Sequence, residues 1–432
     1  MRRILYLGFT IFAILLVSLS AHGEIYTLDK CIETGLQNNY SVIAARNNFD
    51  ASRWGVYNAY SDILPSISIS GGGAQNKGYL SIEGQSIPLA RKQTNYSGSI
   101  NFGQTYPGLG LYTYANIKLQ TARRNSNLYG FVGAQNDLAL NIKQAYYNVI
   151  QTKMLVDVSQ DAVKRAEEQL KIAQSRYDLG SASLSDVLKA KVQRSNAQLD
   201  LISAQNNYSN GKSNLKYVMG VDMMEDVEID EHYPQITIDI TYDQAYNEAL
   251  SRNPAYRQAQ FSLLMNKAQQ WIARTSFLPS VSLSYNRSTS VIDTFSNFFD
   301  FRPIDASYSI RVGLSFNIFN NLGDTYNLVS ANKNLNSAQE NLANEKNNIG
   351  LQVQQAYLNL QMNEEALKVN EEAMASAQED WNIVKEKYNL GAATMLDVLD
   401  AEVSYKQAQI NQVQAQFNYN IAAATLENVM GR

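Results

Sequence analysis

From Tyr308 to Phe319 the chain alternates. Ile310, Val312, Leu314, Phe316 and Ile318 fall on one face of an extended strand, and Ser309, Arg311, Gly313, Ser315 and Asn317 on the other. The same period of two sets Ile67 and Ile69 between Ser66, Ser68 and Ser70, and Val281, Leu283 and Tyr285 between Ser280, Ser282 and Ser284. These two runs begin at Leu64-Pro65 and Leu278-Pro279. Proline removes a backbone donor and pushes its predecessor toward extended geometry, so helices over about 28–62 and 242–276 are expected to end there. Loops of roughly 74–94 and 287–304 then lead to second strands, which gives predicted strands at about 65–73, 95–106, 279–286 and 307–319.

Strands of about ten residues, apolar on one side and Ser, Gly, Arg or Asn on the other, fit the wall of a water-filled barrel in lipid. A soluble β-sandwich is the alternative. Four such strands cannot close a barrel, and lipid tolerates no open sheet edge, so a membrane barrel requires several chains.

The helical segments carry a different pattern. With Val398 as position a, the a and d residues are Val398, Ala401, Tyr405, Ala408, Gln412, Ala415, Tyr419, Ala422, Leu426 and Val429, a heptad seam rich in alanine. Leu399, Val403, Ile410, Val413, Phe417 and Ala424, interrupted by Lys406 and Asn420, form a second seam at b and f, roughly 155° away at about 103° per residue. A helix with two opposed seams has two neighbours, as a stave in a hollow wall does. The faces between are polar, with Glu402, Gln409 and Gln416 on one and Asp397, Asp400, Ser404, Gln407, Asn411, Gln414 and Asn418 on the other. Both are expected to be wet, since a compact bundle would make one of them apolar. Val187, Ala190, Ala197, Leu201, Ala204, Tyr208, Leu215 and Val218 repeat the first seam, with Leu188, Val192, Leu199 and Ile202 opposite. The helix from about Tyr326 to Tyr388 runs ~60 residues, about 90 Å, beyond three bilayer hydrocarbon cores, so it must project into water.

These elements occur twice. Gln144 to Gly220 aligns without a gap on Gln355 to Gly431, and "YDLGSASLSDVLKA" (Tyr177 to Ala190) on "YNLGAATMLDVLDA" (Tyr388 to Ala401); 391 minus 180 sets the offset at 211. A second gapless match runs from Thr27 against Thr241, through "LPSISIS" against "LPSVSLS". The expected organisation is a signal peptide at 1–23, a first repeat at 24–220 with its tip at 177–190, a linker at 221–240, and a second repeat at 241–432 with its tip at 388–401. The signal is read from Arg2 and Arg3, the apolar run Ile4 to Leu19, and the small residues Ala21 and Gly23 before Glu24.

Composition narrows the chemistry. The net charge of −4, from 40 acids and 36 bases, argues against a nucleic-acid partner. Past the signal there remain one histidine, His232, and one cysteine, Cys31, which is read as an ordinary helix residue rather than a lipid-anchor site. His/Cys metal clusters and nucleophile-base pairs cannot be assembled from these, so no catalytic residue, metal site or cofactor is expected.

The duplicated layout, the "LPS(I/V)S(I/L)S" strand entries and the paired "Y-x-L-G…D-V-L-x-A" turns make the whole mature chain resemble the TolC-like outer-membrane efflux proteins. The resemblance implies an α+β membrane protein in the outer membrane of a Gram-negative cell. Each chain would give four strands to a trimeric 12-stranded transmembrane β-barrel and long helices to a periplasmic α-helical barrel. The implied function is the channel-tunnel of a tripartite efflux or type I secretion system. Its partners would be a second and third copy of the chain, outer-membrane lipid, and a periplasmic adaptor (membrane fusion) protein that couples it to an inner-membrane pump.

By the same resemblance Gly180 and Gly391 mark adaptor-docking tips, Asp397 and Asp400 are constriction acids, and Asp186 with Tyr388 matches a closed-state latch. Acids in the first turn of a helix also complement its dipole, and Asp186, the counterpart of Asp397, fits that plainer role; Lys189 stands opposite Asp400 in the repeat. The family's best-known member has an arginine two residues after the second tip glycine, where this chain has Ala393, so a salt bridge in the latch is in doubt. Arg311 either lines the barrel lumen or braces a neighbouring acid. Tyr96, Tyr106 and Tyr308 are split between an aromatic girdle and plain packing, whereas Tyr146, Tyr357, Tyr405 and Tyr419 are expected in helix seams. Two other classes compete: a secreted coiled-coil-rich structural or adhesive protein, and a hydrolase running on the tip aspartates.

Overall fold

Asn39 and Asn253 interrupt what the sequence suggests are two single helices. In the computed structural model, which describes residues 25–76, 79–82, 85–88, 93–225, 227–230, 238–292 and 306–432, each opening helix is a pair. The first repeat contains β1 (Ile25–Tyr26), α1 (Leu28–Asn38), α2 (Tyr40–Ser61), β2 (Ser66–Asn76), β3 (Tyr79–Ile82), β4 (Gln85–Pro88), β5 (Gln93–Tyr106), α3 (Leu111–Asp178) and α4 (Leu184–Met219). The second contains β6 (Glu228–Ile229), α5 (Tyr242–Arg252), α6 (Pro254–Thr275), β7 (Ser280–Ile292), β8 (Ala306–Ser315), α7 (Gly323–Asn389) and α8 (Met395–Met430). The signal at 1–23 lies outside the described residues.

The break has one cause in both repeats. Asn39 sits at ψ 129° and Asn253 at ψ 123°, both outside helical geometry. The Asn39 side chain accepts from the Ser41 amide at 2.8 Å and donates to the Val218 carbonyl at 2.9 Å. Asn253 accepts from the Ala255 amide at 2.9 Å and donates to the Val429 carbonyl at 3.0 Å. Each asparagine therefore caps the helix that follows and ties the break to the last turn of α4 or α8. Pro254 in the first turn of α6 was a visible signal in the second repeat; the first has Tyr40 there and gave none.

Other boundaries move too. β7 runs on to Ile292, past the expected end near 286, and β8 stops at Ser315 instead of 319. Asn321 and Leu322 adopt φ of 56° and 65°, which turns the chain into α7 and leaves Phe316 and Ile318 outside the strand. The expected linker at 221–240 contains β6, which pairs in parallel with β1 through Ile25–Glu228 and Tyr26–Ile229.

The chain sorts into two compact units, of which one takes 47–129 and 257–345. That unit holds an antiparallel sheet in the order β2-β5-β7-β8, so β2 and β8 are its edges. Register turns the sequence alternation into two continuous faces. Ile67, Phe102, Tyr285 and Ile310 lie side by side across one, and Ser66, Gly103, Ser284 and Arg311 across the other. The polar face is stitched by side chains, with the Ser70 and Ser99 hydroxyls 2.7 Å apart and those of Ser288 and Ser307 3.0 Å apart. The apolar face stands open: Ile69 is 77% exposed and Val312 76%.

The second unit contains two cores built alike. In the first, α1 places Cys31 and Gly35 against Leu138, Ile142, Ala145 and Val149 of α3; in the second, α5 places Ala245 and Ala249 with Ile349, Val353, Ala356 and Leu360 of α7. Small residues on the short helix let the long helix approach closely. A methyl added at Gly35 would run into the Ile142 Cδ1, whereas the other repeat pairs the larger Ala249 with the smaller Val353. Packing at core density makes such volumes complementary. Burial pushes the Cys31 thiol up to about 12, so it stays protonated and inert.

Candidate functional site

The two turns flagged by sequence are built by the same local chemistry. α3 and α7 each close on a glycine in the left-handed region, Gly180 at φ 73° and Gly391 at φ 78°. The next amides, Ser181 and Ala392, both donate at 2.8 Å to carbonyls of the helix just ended, those of Arg176 and Lys387. A side chain at φ near +75° would be strained, which explains the glycine in both copies. Ser183 and Thr394 then cap α4 and α8, and Asp186 and Asp397 complete reciprocal capping boxes. Leu179 and Leu390, next to the glycines, are more than four-fifths exposed at 83% and 86%.

Between the turns lies a small apolar cluster of Ala173, Val187, Ala190, Tyr388, Met395 and Val398. Arg176 closes it from one side. Its Nη2 donates to the Tyr388 and Asn389 carbonyls at 2.8 and 3.0 Å, and its guanidinium carbon lies 4.2 Å from the centre of the Tyr388 ring. A cation is thus placed at the C-terminal end of α7, where the helix dipole favours one. The repeat counterpart of Arg176 is Lys387, exposed on the other helix, so this contact is one-sided. Sequence reading missed Arg176; the Arg/Lys difference between otherwise similar repeats was the available signal.

The acids divide into two kinds. Asp397 accepts from the Thr394 amide and hydroxyl, both at 2.7 Å, and these bonds hold its carboxyl below the usual range, the amide contributing most. Asp186 accepts from the Ser183 amide at 3.2 Å and hydroxyl at 2.8 Å. Asp400 is exposed one turn further along α8 and, among the described residues, engages no hydrogen bond or ion pair. Tyr388 is buried in the cluster, and no hydrogen bond joins it to Asp186 within the chain. Asp397, Asp400, Ser404, Gln407, Asn411, Gln414 and Asn418 are all exposed, which makes one continuous polar face.

The opposite polar face of α8 is not wet as expected. Glu402 is 2% exposed, with the Arg165 Nε of α3 3.6 Å from its Oε1. The guanidinium of Arg165 also lies over the rings of Trp381 and Tyr405, 5.7 and 5.3 Å from their centres, and those two rings are stacked. Burial pushes the Glu402 carboxyl above its ordinary value against the opposing pull of Arg165. Gln409 and Gln416 are half-buried. In α4 the reverse happens: the second-seam residues Leu188, Val192, Leu199 and Ile202 are all more than half exposed, although Val413 and Phe417 of α8 are buried.

Elsewhere, Arg311 is exposed on the polar sheet face beside Ser284, and no carboxylate pairs with it among the described residues. Tyr146 and Tyr419 belong to the helix cores and Tyr405 stacks on Trp381, as expected of seam residues. The Tyr106 hydroxyl donates to the Ile63 carbonyl at 3.3 Å.

Three comparisons place this geometry among known proteins. The family model described as outer membrane efflux protein matches residues 31–221 and 245–432. The probable efflux pump outer membrane protein TtgC of Pseudomonas putida is 23% identical over 271 residues, 60% of this chain and 53% of that protein. The outer membrane protein TolC of Escherichia coli K12 is 22% identical over 306 residues, 69% of this chain and 62% of that protein. The chain spans about half the length of the first curated relatives it matches. Its fold is shared with the Campylobacter jejuni CmeC outer membrane channel, at a TM-score of 0.82 and 17% identity, over 96% of this chain and 90% of that one. The CusC crystal structure gives 0.79 at 18% identity, over 95% and 93%. With both repeats inside the matched stretches, the chain belongs to the outer membrane efflux protein family.

Proposed function

We propose that this protein is the outer-membrane channel-tunnel of a tripartite efflux or type I secretion system, a passive duct that performs no bond chemistry. The observation that carries the reading is the sheet. One face is apolar and exposed, the other is lined with serine, asparagine and glycine, and both edges are open. Lipid would cover the first face and water the second, and the edges would close by pairing β8 of one copy with β2 of the next. Three copies give the 12-stranded barrel that the resemblance implies. The exposed seam of α4 offers each copy an apolar stripe for its neighbour.

The tips would form the far end of the periplasmic tunnel. Leu179 and Leu390 beside Gly180 and Gly391 present apolar side chains to an adaptor protein, which couples the duct to an inner-membrane pump. Asp397 and Asp400, on the exposed face of α8, would put carboxylates around a shared axis and favour cations at the constriction. Tyr388 and Asp186 would hold the closed state, with Arg176 supplying the cation that Ala393 does not. Arg311 would stand on the lumen wall.

The test is single-channel conductance and reversal potential of the purified protein in a planar bilayer, beside Asp397→Ala/Asp400→Ala. The expected result is a small cation-selective conductance that grows and loses selectivity in the double variant. Identical behaviour of the two proteins removes the acids from the constriction; no conductance in either removes the channel.

A further inference from the structure

A groove of about 220 Å³ opens between α3 and α6, lined by Leu111, Tyr114, Ala115, Lys118, Ala268 and Trp271. Its floor is the buried pair Ala115 and Ala268, and its walls are the rings of Tyr114 and Trp271, 63% and 55% exposed. Each ring carries a cation. The Lys118 Nζ lies 5.5 Å from the centre of Tyr114, and the Arg274 guanidinium carbon 5.1 Å from that of Trp271. Both cations are exposed, and among the described residues neither meets a carboxylate. An aromatic slot rimmed by two uncompensated cations is complementary to an amphipathic anion.

Position decides which one. α3 leaves β5 through the single turn Pro107–Gly110, and α6 enters β7 across residues 276–279. At ~1.5 Å per helical residue, Tyr114 and Trp271 lie about 4–6 Å along their helices from the ends that meet the sheet, at the level of a bilayer's headgroup layer. The groove bares Leu111, Tyr114 and Trp271 at that level, apolar surface that a bilayer covers and a water-filled lumen does not. A second copy of the chain does not reach it, because α3 and α6 continue the two inner strands while neighbours join at the edges β2 and β8.

Resting on the channel reading above, the geometry points to this groove as a binding site for one anionic glycerophospholipid of the periplasm-facing leaflet. The first acyl carbons leave the slot past Leu111 on the strand side, the glycerol lies between the rings, and the phosphate meets Lys118, with Arg274 the second cation of the rim. Tyrosine and tryptophan are suited to that depth because one end of each ring system is apolar and the other wet.

The test titrates phosphatidylglycerol onto the detergent-solubilised oligomer and counts bound lipid by native mass spectrometry, for wild type and for Lys118→Gln/Arg274→Gln. Conductance in a planar bilayer is measured in parallel. The expected result is at least tenfold weaker lipid binding in the double variant with conductance retained. Equal lipid binding in the two proteins, with conductance retained, overturns the site and leaves the channel standing; absence of conductance in both overturns the channel reading and the site with it. The occupant is checked in cells by placing the photoreactive residue benzoylphenylalanine at Tyr114. A phospholipid adduct supports the assignment, and an adduct with a second copy of the chain or another protein overturns it.

Discussion

Glu402 of α8 is sealed from water by Arg165 of α3, the two side chains lying 3.6 Å apart between helices that sequence alone would leave solvated on that face. Removing one partner of a buried ion pair leaves the other charge uncompensated. Arg165→Met is therefore expected to cost about 3–5 kcal/mol and Arg165→Met/Glu402→Met much less. Melting of the solubilised oligomer checks this, and equal losses in the two variants would contradict it.

The same carboxyl gives a pH dependence. It titrates above its ordinary 4.5 in the fold, so the folded state holds the proton more firmly than the unfolded chain. Its stabilising contribution is full below 4.5 and is lost as pH rises through the raised value. Wild type should accordingly lose stability relative to Glu402→Gln as pH is raised from below 4.5 through the raised value, and a gap that widens the other way would refute the assignment.

Arg176 holds the second tip by two carbonyls and one ring. Arg176→Ala should raise the conductance and open probability of the channel, with Arg176→Lys between the two, because lysine keeps the charge but not the planar stack. A conductance unchanged by Arg176→Ala would mean that the contact bears no load in gating.

Asp397 and Asp400 can be separated. Asp397 caps α8 as well as carrying charge, and its carboxyl is held below 3.8, so the cap is in place above that pH and is lost as pH falls through the lowered value. Asp397→Asn should alter ion selectivity and also speed amide exchange at the second tip; Asp400→Asn should alter selectivity alone. Faster exchange in Asp400→Asn would show a structural part for that side chain.

Gly35 and Ile142 form a volume pair whose repeat equivalent is Ala249 and Val353. Gly35→Ala should cost about 1–3 kcal/mol through overpacking, and adding Ile142→Val should recover most of it, the signature of coupled neighbours in a double-mutant cycle. Additive losses would mean that the two sites relax independently.

How much of this was legible depends on where the information sits. The strand faces could be read because a period of two assigns every side chain to one side, and register then only aligns the rows. The tips could be read because a left-handed turn and a capping box are local, set by Gly180 and Ser183 or by Gly391 and Thr394 within a few residues. Asn39 was missed because its side chain acts on Val218, far away in sequence, and a helical pattern passes through it unbroken.

The sequence by itself determined the duplication, the two-faced strands, the doubled helix seams and the paired turns, each the consequence of a backbone period or a short-range hydrogen bond. Tertiary structure alone decided which polar groups are hidden and which apolar ones are bare. Glu402 and Gln414 look alike in a heptad, yet Arg165 and its aromatic neighbours cover the first and nothing in the chain covers the second. The second seams of α4 and α8 read the same, yet Val413 and Phe417 of α8 are packed while Leu199 and Ile202 of α4 stay bare. Burial is a property of neighbours, and neighbours are chosen by the fold.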